Sequence, residues 1–151
     1  MLQKRRSIAS IPDGLQAVST DIVKGSAVIR KYNATTKVFE LALPSTADEA
    51  KLIYGFVTLR IDEDVYKDSY YDTIAAGTKA VAYTLVKNEE WATTEFVGNL
   101  AVGDKLTVGF TTGTNAGKLI KVTTEDPMFE VIGVTPAMGG YESAMISFKI
   151  L

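Results

Sequence analysis

From Asp21 onward, apolar and polar residues alternate in short runs, and glycine, proline, asparagine or aspartate interrupts the pattern about every ten residues. The run "GFVTLRI" (55–61) sets Phe56, Thr58 and Arg60 against Val57, Leu59 and Ile61. That period of two is the signature of a strand. Upstream, Val28, Ile29, Tyr32, Val38, Phe39, Leu41 and Leu43 flank "YNATTK", whose Asn, Thr and Lys suit a hairpin connection, and Pro44 ends the run. Further strands are predicted near 79–87, 91–97, 105–111, 118–123, 128–134 and 143–150. One stretch departs from the pattern. In "STADEAKLIY" (45–54), Thr46 stands three places before Glu49 and Ser45 three before Asp48, the spacing of a capping box, which predicts a helix of one or two turns. Strand–helix alternation, the mark of a parallel sheet, is missing. The pattern therefore predicts a mainly-β fold, a sandwich or a barrel, with at most one short helix.

Three turns share a design. "IVKGSAVIR" (22–30), "IAAGTKAVAY" (74–83) and "LAVGDKLTVG" (100–109) each place an aliphatic residue three positions before a glycine and a small polar residue after it. Gly25, Gly77 and Gly103 are expected at positive φ or in a bulge. Ile22, Ile74 and Leu100 would pin each corner to the core, with Asp104 and Lys105 left to solvent. Corners of this kind suit the bends of a small closed barrel. Their spacing is too irregular for a solenoid, so they read as reused turn chemistry. A fourth glycine-rich stretch, "GFTTGTNAGKL" (109–119), fails as a phosphate loop. Gly113 is separated from Gly117 by three residues, Thr112 occupies the position that needs glycine, and Leu119 follows Lys118. It reads as a hairpin tip.

Composition narrows the chemistry. The 151 residues fit one domain and include neither cysteine nor histidine. Thiolate catalysis, disulfides and cysteine-based zinc sites are excluded, and so are the commonest general base and metal ligand. The expectation is a protein that is not an enzyme and uses no cofactor or metal. No apolar run approaches the roughly 20 residues of a membrane span, and the basic start lacks the continuous apolar stretch of a secretory signal. The net charge of −2 hides an asymmetry. Without Lys4, Arg5 and Arg6 there remain 13 basic residues against 18 acidic ones, a net charge of −5. Such a body is not expected to bind nucleic acid or a membrane; only the N-terminal tip suits an anionic partner.

Residues 1–20 read as an extended arm, basic at first and broken by "IPDG", ahead of a single domain over 21–151. The densest acidic cluster, Asp62, Glu63, Asp64, Asp68 and Asp72, lacks the order of a calcium loop. Tyr66, Tyr70 and Tyr71 are interleaved with these acids, which favours a solvated loop or a protein contact surface. Trp91 suits a core or rim position better than a sugar platform, and Lys79, Lys105 and Lys118 suit solvent-facing strand starts.

Read in order, "DIVKGSAVIRKYN", "GFVTLRIDEDV", "TIAAGTKAVAYTLVKNEEW", "NLAVGDKLTVGFTTGTNAGKLIKV" and "FEVIGVTPAMGGYESAMISFKIL" resemble the capsid decoration proteins of tailed bacteriophages. These are also called cement or head-stabilising proteins, and the group includes the lambda head decoration protein. The similarity lies in a V-K-G-x-x-V opening, the repeated glycine corners and the terminal strand, over roughly residues 20–151. The resemblance implies a β-barrel or β-tulip on the outer surface of the virion capsid, assembled in the host cytoplasm. It implies the major capsid protein as partner and a homotrimer or other homo-oligomer of the chain itself. The N-terminal arm would order on the shell, with Lys4, Arg5 and Arg6 meeting acidic surface and Ile8, Ile11 and Leu15 as apolar anchors. Tyr66, Tyr70 and Tyr71 are further candidate contacts. Other readings are a carbohydrate- or receptor-binding β module using Trp91 and the tyrosine loop, or a tail-tube or neck subunit.

Overall fold

Strands dominate the residues that the computed structural model describes, which are 2–6, 12–58, 73–137 and 143–151. In chain order they are β1 (Leu2–Arg6), β2 (Pro12–Ala17), β3 (Ile22–Val23), β4 (Ala27–Asn33) and β5 (Val38–Ala42), followed by helix α1 (Ala47–Ala50). Then come β6 (Gly55–Thr58), β7 (Thr73–Ile74), β8 (Lys79–Thr84), β9 (Glu90–Thr93), β10 (Lys105–Val108), β11 (Leu119–Lys121), β12 (Phe129–Thr135) and β13 (Met145–Ile150). The predicted mainly-β fold with one short helix is present.

Two larger sheets carry the fold. The first has the order β1-β9-β13-β12-β10-β11, five strands from the C-terminal half joined by β1, and the second has the order β2-β8-β6-β4-β5. Every ladder in them is antiparallel. A ribbon of β3 and β7 pairs Ile22 with Ile74. Residues 2–6 and 12–17, within the segment expected as an arm, thus form the outer strands of the two sheets. They run antiparallel to β9 and β8 respectively.

The expected barrel is not formed. The second sheet's outer strands share no ladder, only an isolated parallel bridge between Val18 and Leu41, and in the first sheet an isolated bridge links Phe96 to Leu119. Both faces of the second sheet are buried. Ala27, Ile29, Ala42 and Phe56 of the second sheet face a core completed by Trp91, Leu106, Phe129, Val131, Ile146 and Phe148 of the first. On the opposite face Val28, Leu41, Val57, Ala80 and Ala82 form a second core with Val18, Ile22 and Ile74. The first sheet covers one face, and Val18 with Ile22 and Ile74 of the ribbon cover the other. Strand β6 shows this directly, since all four of its residues are buried. Between the sheets, the Phe56 ring centroid lies 5.7 Å from Phe129 and 5.0 Å from Phe148, which are 5.4 Å from each other. These offset contacts suit the quadrupoles of the rings.

The three glycine corners adopt one geometry. Gly25, Gly77 and Gly103 have φ of 90°, 81° and 92°. Each sits third in a turn closed by a backbone bond: Ser26 N–H to Val23 at 3.1 Å, Thr78 N–H to Ala75 at 3.0 Å, and Asp104 N–H to Ala101 at 3.0 Å. A positive φ at that place is what a type II turn requires. Each glycine N–H donates at 2.8 Å to the carbonyl of a valine on the neighbouring strand, namely Val57, Val18 and Val131. Each valine N–H donates back to the carbonyl of the residue after the glycine, at 3.0, 3.0 and 2.9 Å. Two residues thus oppose one, the arrangement of a glycine bulge. The three valines are at most 1% exposed. As expected, Ile22 and Ile74 are buried, and Leu100 packs at the margin of the first core. Asp104, expected at solvent, instead accepts from the Ala101 N–H at 2.9 Å and pairs with Lys121 at 2.7 Å. Lys105 is exposed and pairs with Glu130 at 2.6 Å. The stretch 109–119 is the predicted hairpin tip, joining β10 to β11.

A Cβ added at Gly77 or Gly103 would meet nothing within 4 Å, so substitution there isolates the backbone term. Gly77→Ala and Gly103→Ala should each lower the unfolding free energy by about 1–2 kcal/mol in chemical denaturation, and the Asn variants by less. Equal stability of the Ala variants and the parent would show that the corners do not depend on positive φ.

Candidate interaction surfaces

The residues singled out from sequence separate into two groups. Lys4, Arg5 and Arg6 lie on β1, where Lys4 stands opposite Trp91 and Arg6 opposite Glu90 in the ladder. Arg5 is exposed. Leu15 lies on β2, where the register shifts between Gly14 and Gln16. Ile8, Ile11, Tyr66, Tyr70 and Tyr71 lie outside the described residues, as do the acids of 62–72. Trp91 is 2% exposed, and its indole Nε1–H donates to the buried Glu89 carboxylate at 3.1 Å. It is a core residue, so the carbohydrate reading loses its proposed platform. Among the described residues no group of three or more acidic, His or Cys side chains is placed to hold a metal ion, and no helix is long and apolar enough to cross a membrane.

The structure brings out an aromatic face that alternation in sequence marked only as strand. Across the β4–β5 hairpin Tyr32 stands opposite Phe39 and Arg30 opposite Leu41. Leu41 is buried in the second core, yet Tyr32 and Phe39, two residues further out, are 55% and 47% exposed. Their rings meet edge-on at 5.4 Å. The Arg30 guanidinium lies over Phe39 at 4.7 Å and near Tyr54 at 5.7 Å, while its Nε–H donates to Gln16 at 3.0 Å. Stacking of this kind leaves the charge available at the surface and stiffens the ring beneath it. At the turn, Asn33 Oδ1 accepts from the backbone N–H groups of Thr35 and Thr36. Lys37 holds a φ of 58°. That conformation favours Gly or Asn, so a lysine there costs about 1 kcal/mol.

A second surface lies beside the helix. A cleft of about 220 Å³ is floored by Ala50, Val108, Phe110, Ile120 and Met128 and rimmed by Ala47, Lys51, Glu125, Asp126 and Pro127. Glu125 Oε2 accepts from the N–H groups of Thr123 and Thr124 and from the Thr123 hydroxyl. Those backbone donors hold its carboxyl at about 2.

Glu49 ties the two surfaces together. The predicted cap is present, with Thr46 Oγ1 accepting from the Glu49 N–H at 3.2 Å, but the Glu49 carboxylate reaches back to Ser45. It accepts from the Ser45 hydroxyl at 2.7 Å and the Ser45 N–H at 2.8 Å, and from Lys31 of the hairpin at 3.1 Å. The Ser45 hydroxyl, its N–H and the Lys31 ammonium hold the Glu49 carboxyl at about 2, against an ordinary value of 4.5. One side chain therefore caps the helix that walls the cleft and fastens it to the aromatic hairpin.

No family model, no curated protein and no solved structure matches the chain.

Because the folded Glu49 carboxyl titrates below its unfolded counterpart, the unfolded chain binds more protons between about pH 4.5 and 2. The stability Glu49 contributes is complete above that window and is lost as the pH falls through it. Glu49→Gln should flatten the fall in thermal midpoint across this window, and an unchanged slope would contradict the assignment.

Proposed function

We propose that the chain is a structural protein of a bacteriophage particle, held on the outer surface of the capsid shell and bridging neighbouring capsomers. It acts through surface contacts, without catalysis or a cofactor. The observation that carries this reading is the N-terminal segment. Residues 2–6 and 12–17 run as edge strands, joined to β9 and β8 by antiparallel ladders. An edge strand is the form in which a segment adds to another protein's sheet, because main-chain hydrogen bonds supply affinity with little demand on sequence. The basic run Lys4–Arg6 sits on that strand, and the rest of the chain carries a net charge of −5. The proposed partner is the major capsid protein, approached basic end first. Lys4, Arg5 and Arg6 meet its acidic surface, and Ile8, Ile11 and Leu15 are the apolar anchors.

The mechanism is multivalent. A single copy need hold its site only weakly, since many copies, each spanning a boundary between capsomers, together oppose their separation. This division of labour needs no pocket chemistry. The resemblance described above, carried by the glycine corners and the terminal strand, supports the same reading.

Expanded shells lacking any decoration provide the test. The full chain should co-sediment with them, and reversal of the three basic residues (Lys4→Glu, Arg5→Glu, Arg6→Glu) should weaken binding by about tenfold or more at moderate salt. Failure of the parent chain to bind would overturn the decoration reading. Undiminished binding of the reversed variant would overturn the role given to the basic strand.

A further inference from the structure

We infer that the aromatic face of the β4–β5 hairpin on one copy of this chain seats in the cleft beside α1 on a second copy. The inference stands on these two surfaces alone and is independent of whether the chain decorates a shell. Each surface is incomplete in the isolated chain. The hairpin exposes Tyr32 and Phe39, a directly opposed cross-strand pair on one face. Adjacent large apolar side chains left at the surface mark a contact site more often than scattered ones do. The cleft offers an apolar floor to fill. Its volume of about 220 Å³ falls below the roughly 300–1,000 Å³ of sites for drug-sized ligands and suits an inserted side chain or two.

Charge selects the occupant. The hairpin carries Arg30, stacked on Phe39, and Lys37 at the turn. The cleft rim carries Glu125 and Asp126, both exposed. Lys51, the cation on that rim, lies 3.9 Å from Asp48 of the helix. A cationic aromatic knob thus faces an anionic apolar cleft, the pairing that steers association and fixes its orientation. Aromatic and Arg side chains are also the residues that dominate interface energies.

Lys37 supplies an independent indication. Its left-handed backbone would be relieved by glycine, yet the chain holds a lysine in the turn of the knob. A contact made by its ammonium accounts for a residue that the fold alone disfavours. Because knob and cleft are different patches, each copy has both a knob to insert and a cleft to receive one.

Sedimentation velocity of the full chain over a concentration series tests the inference. The parent should associate reversibly, and less so as salt is raised. Phe39→Ser removes the knob and Ala47→Arg obstructs the cleft, both at exposed positions; each should weaken self-association by about tenfold or more. The decisive sample is their equimolar mixture, in which the intact knob of the Ala47→Arg chain meets the intact cleft of the Phe39→Ser chain and a 1:1 complex should form. Lys37→Gly guards against a folding artefact, since it should raise stability while lowering association. A parent that stays monomeric throughout, single variants that associate like the parent, or a mixture that yields no 1:1 complex would each overturn the inference.

Discussion

Three buried valines, Val18, Val57 and Val131, are each gripped through both backbone groups by a glycine corner on the neighbouring strand, and the rest of the structure is built outward from those grips. Each corner ends two residues past its glycine, where β4, β8 or β10 begins. The bulge fixes which residue of the new strand faces which residue of the old one. Register in a sheet is unforgiving, because a slip of one residue sends every side chain to the wrong face. That matters here above all for the central sheet. Its strands supply Phe56 to one core and Val57 to the other, so a slip in β6 would exchange the two.

With both large sheets fixed in this way, the surfaces left for function are those the cores do not consume. The outer strands β1 and β2 lie along β9 and β8 in antiparallel ladders. The β4–β5 hairpin extends beyond the second core, so the alternation that buries Val28 and Leu41 carries on to Tyr32 and Phe39, which stay about half exposed. Contact chemistry of this kind, spread over strands and a hairpin, is what the proposed shell-binding role would draw on.

Local features were readable from the residues. A positive φ favours glycine, so the corners announced themselves, and the Thr46–Glu49 spacing announced the helix cap. Long-range features were not. Whether a sheet rolls or stacks depends on which faces find partners, and the signal was present only as the unbroken apolar runs Ala27–Ile29 and Ala80–Ala82, which mark a strand covered on both sides. The pairing of Asp104 with Lys121 requires the register of the β10–β11 hairpin, which turn residues alone do not fix. Tyr32 and Phe39 share the alternation of core strands, so nothing in the pattern separates an exposed aromatic from a buried one. The Glu49 carboxylate found Ser45 and Lys31 through a hairpin that approaches from outside the helix.

The claim on which the account rests is that the valine grips open only when the whole domain does. Native-state hydrogen exchange of the Val18, Val57 and Val131 amides measures this directly. The account predicts that all three fall in the slowest class and exchange with the free energy of global unfolding. Exchange of any of them through local openings, at rates typical of exposed turn amides, would contradict it.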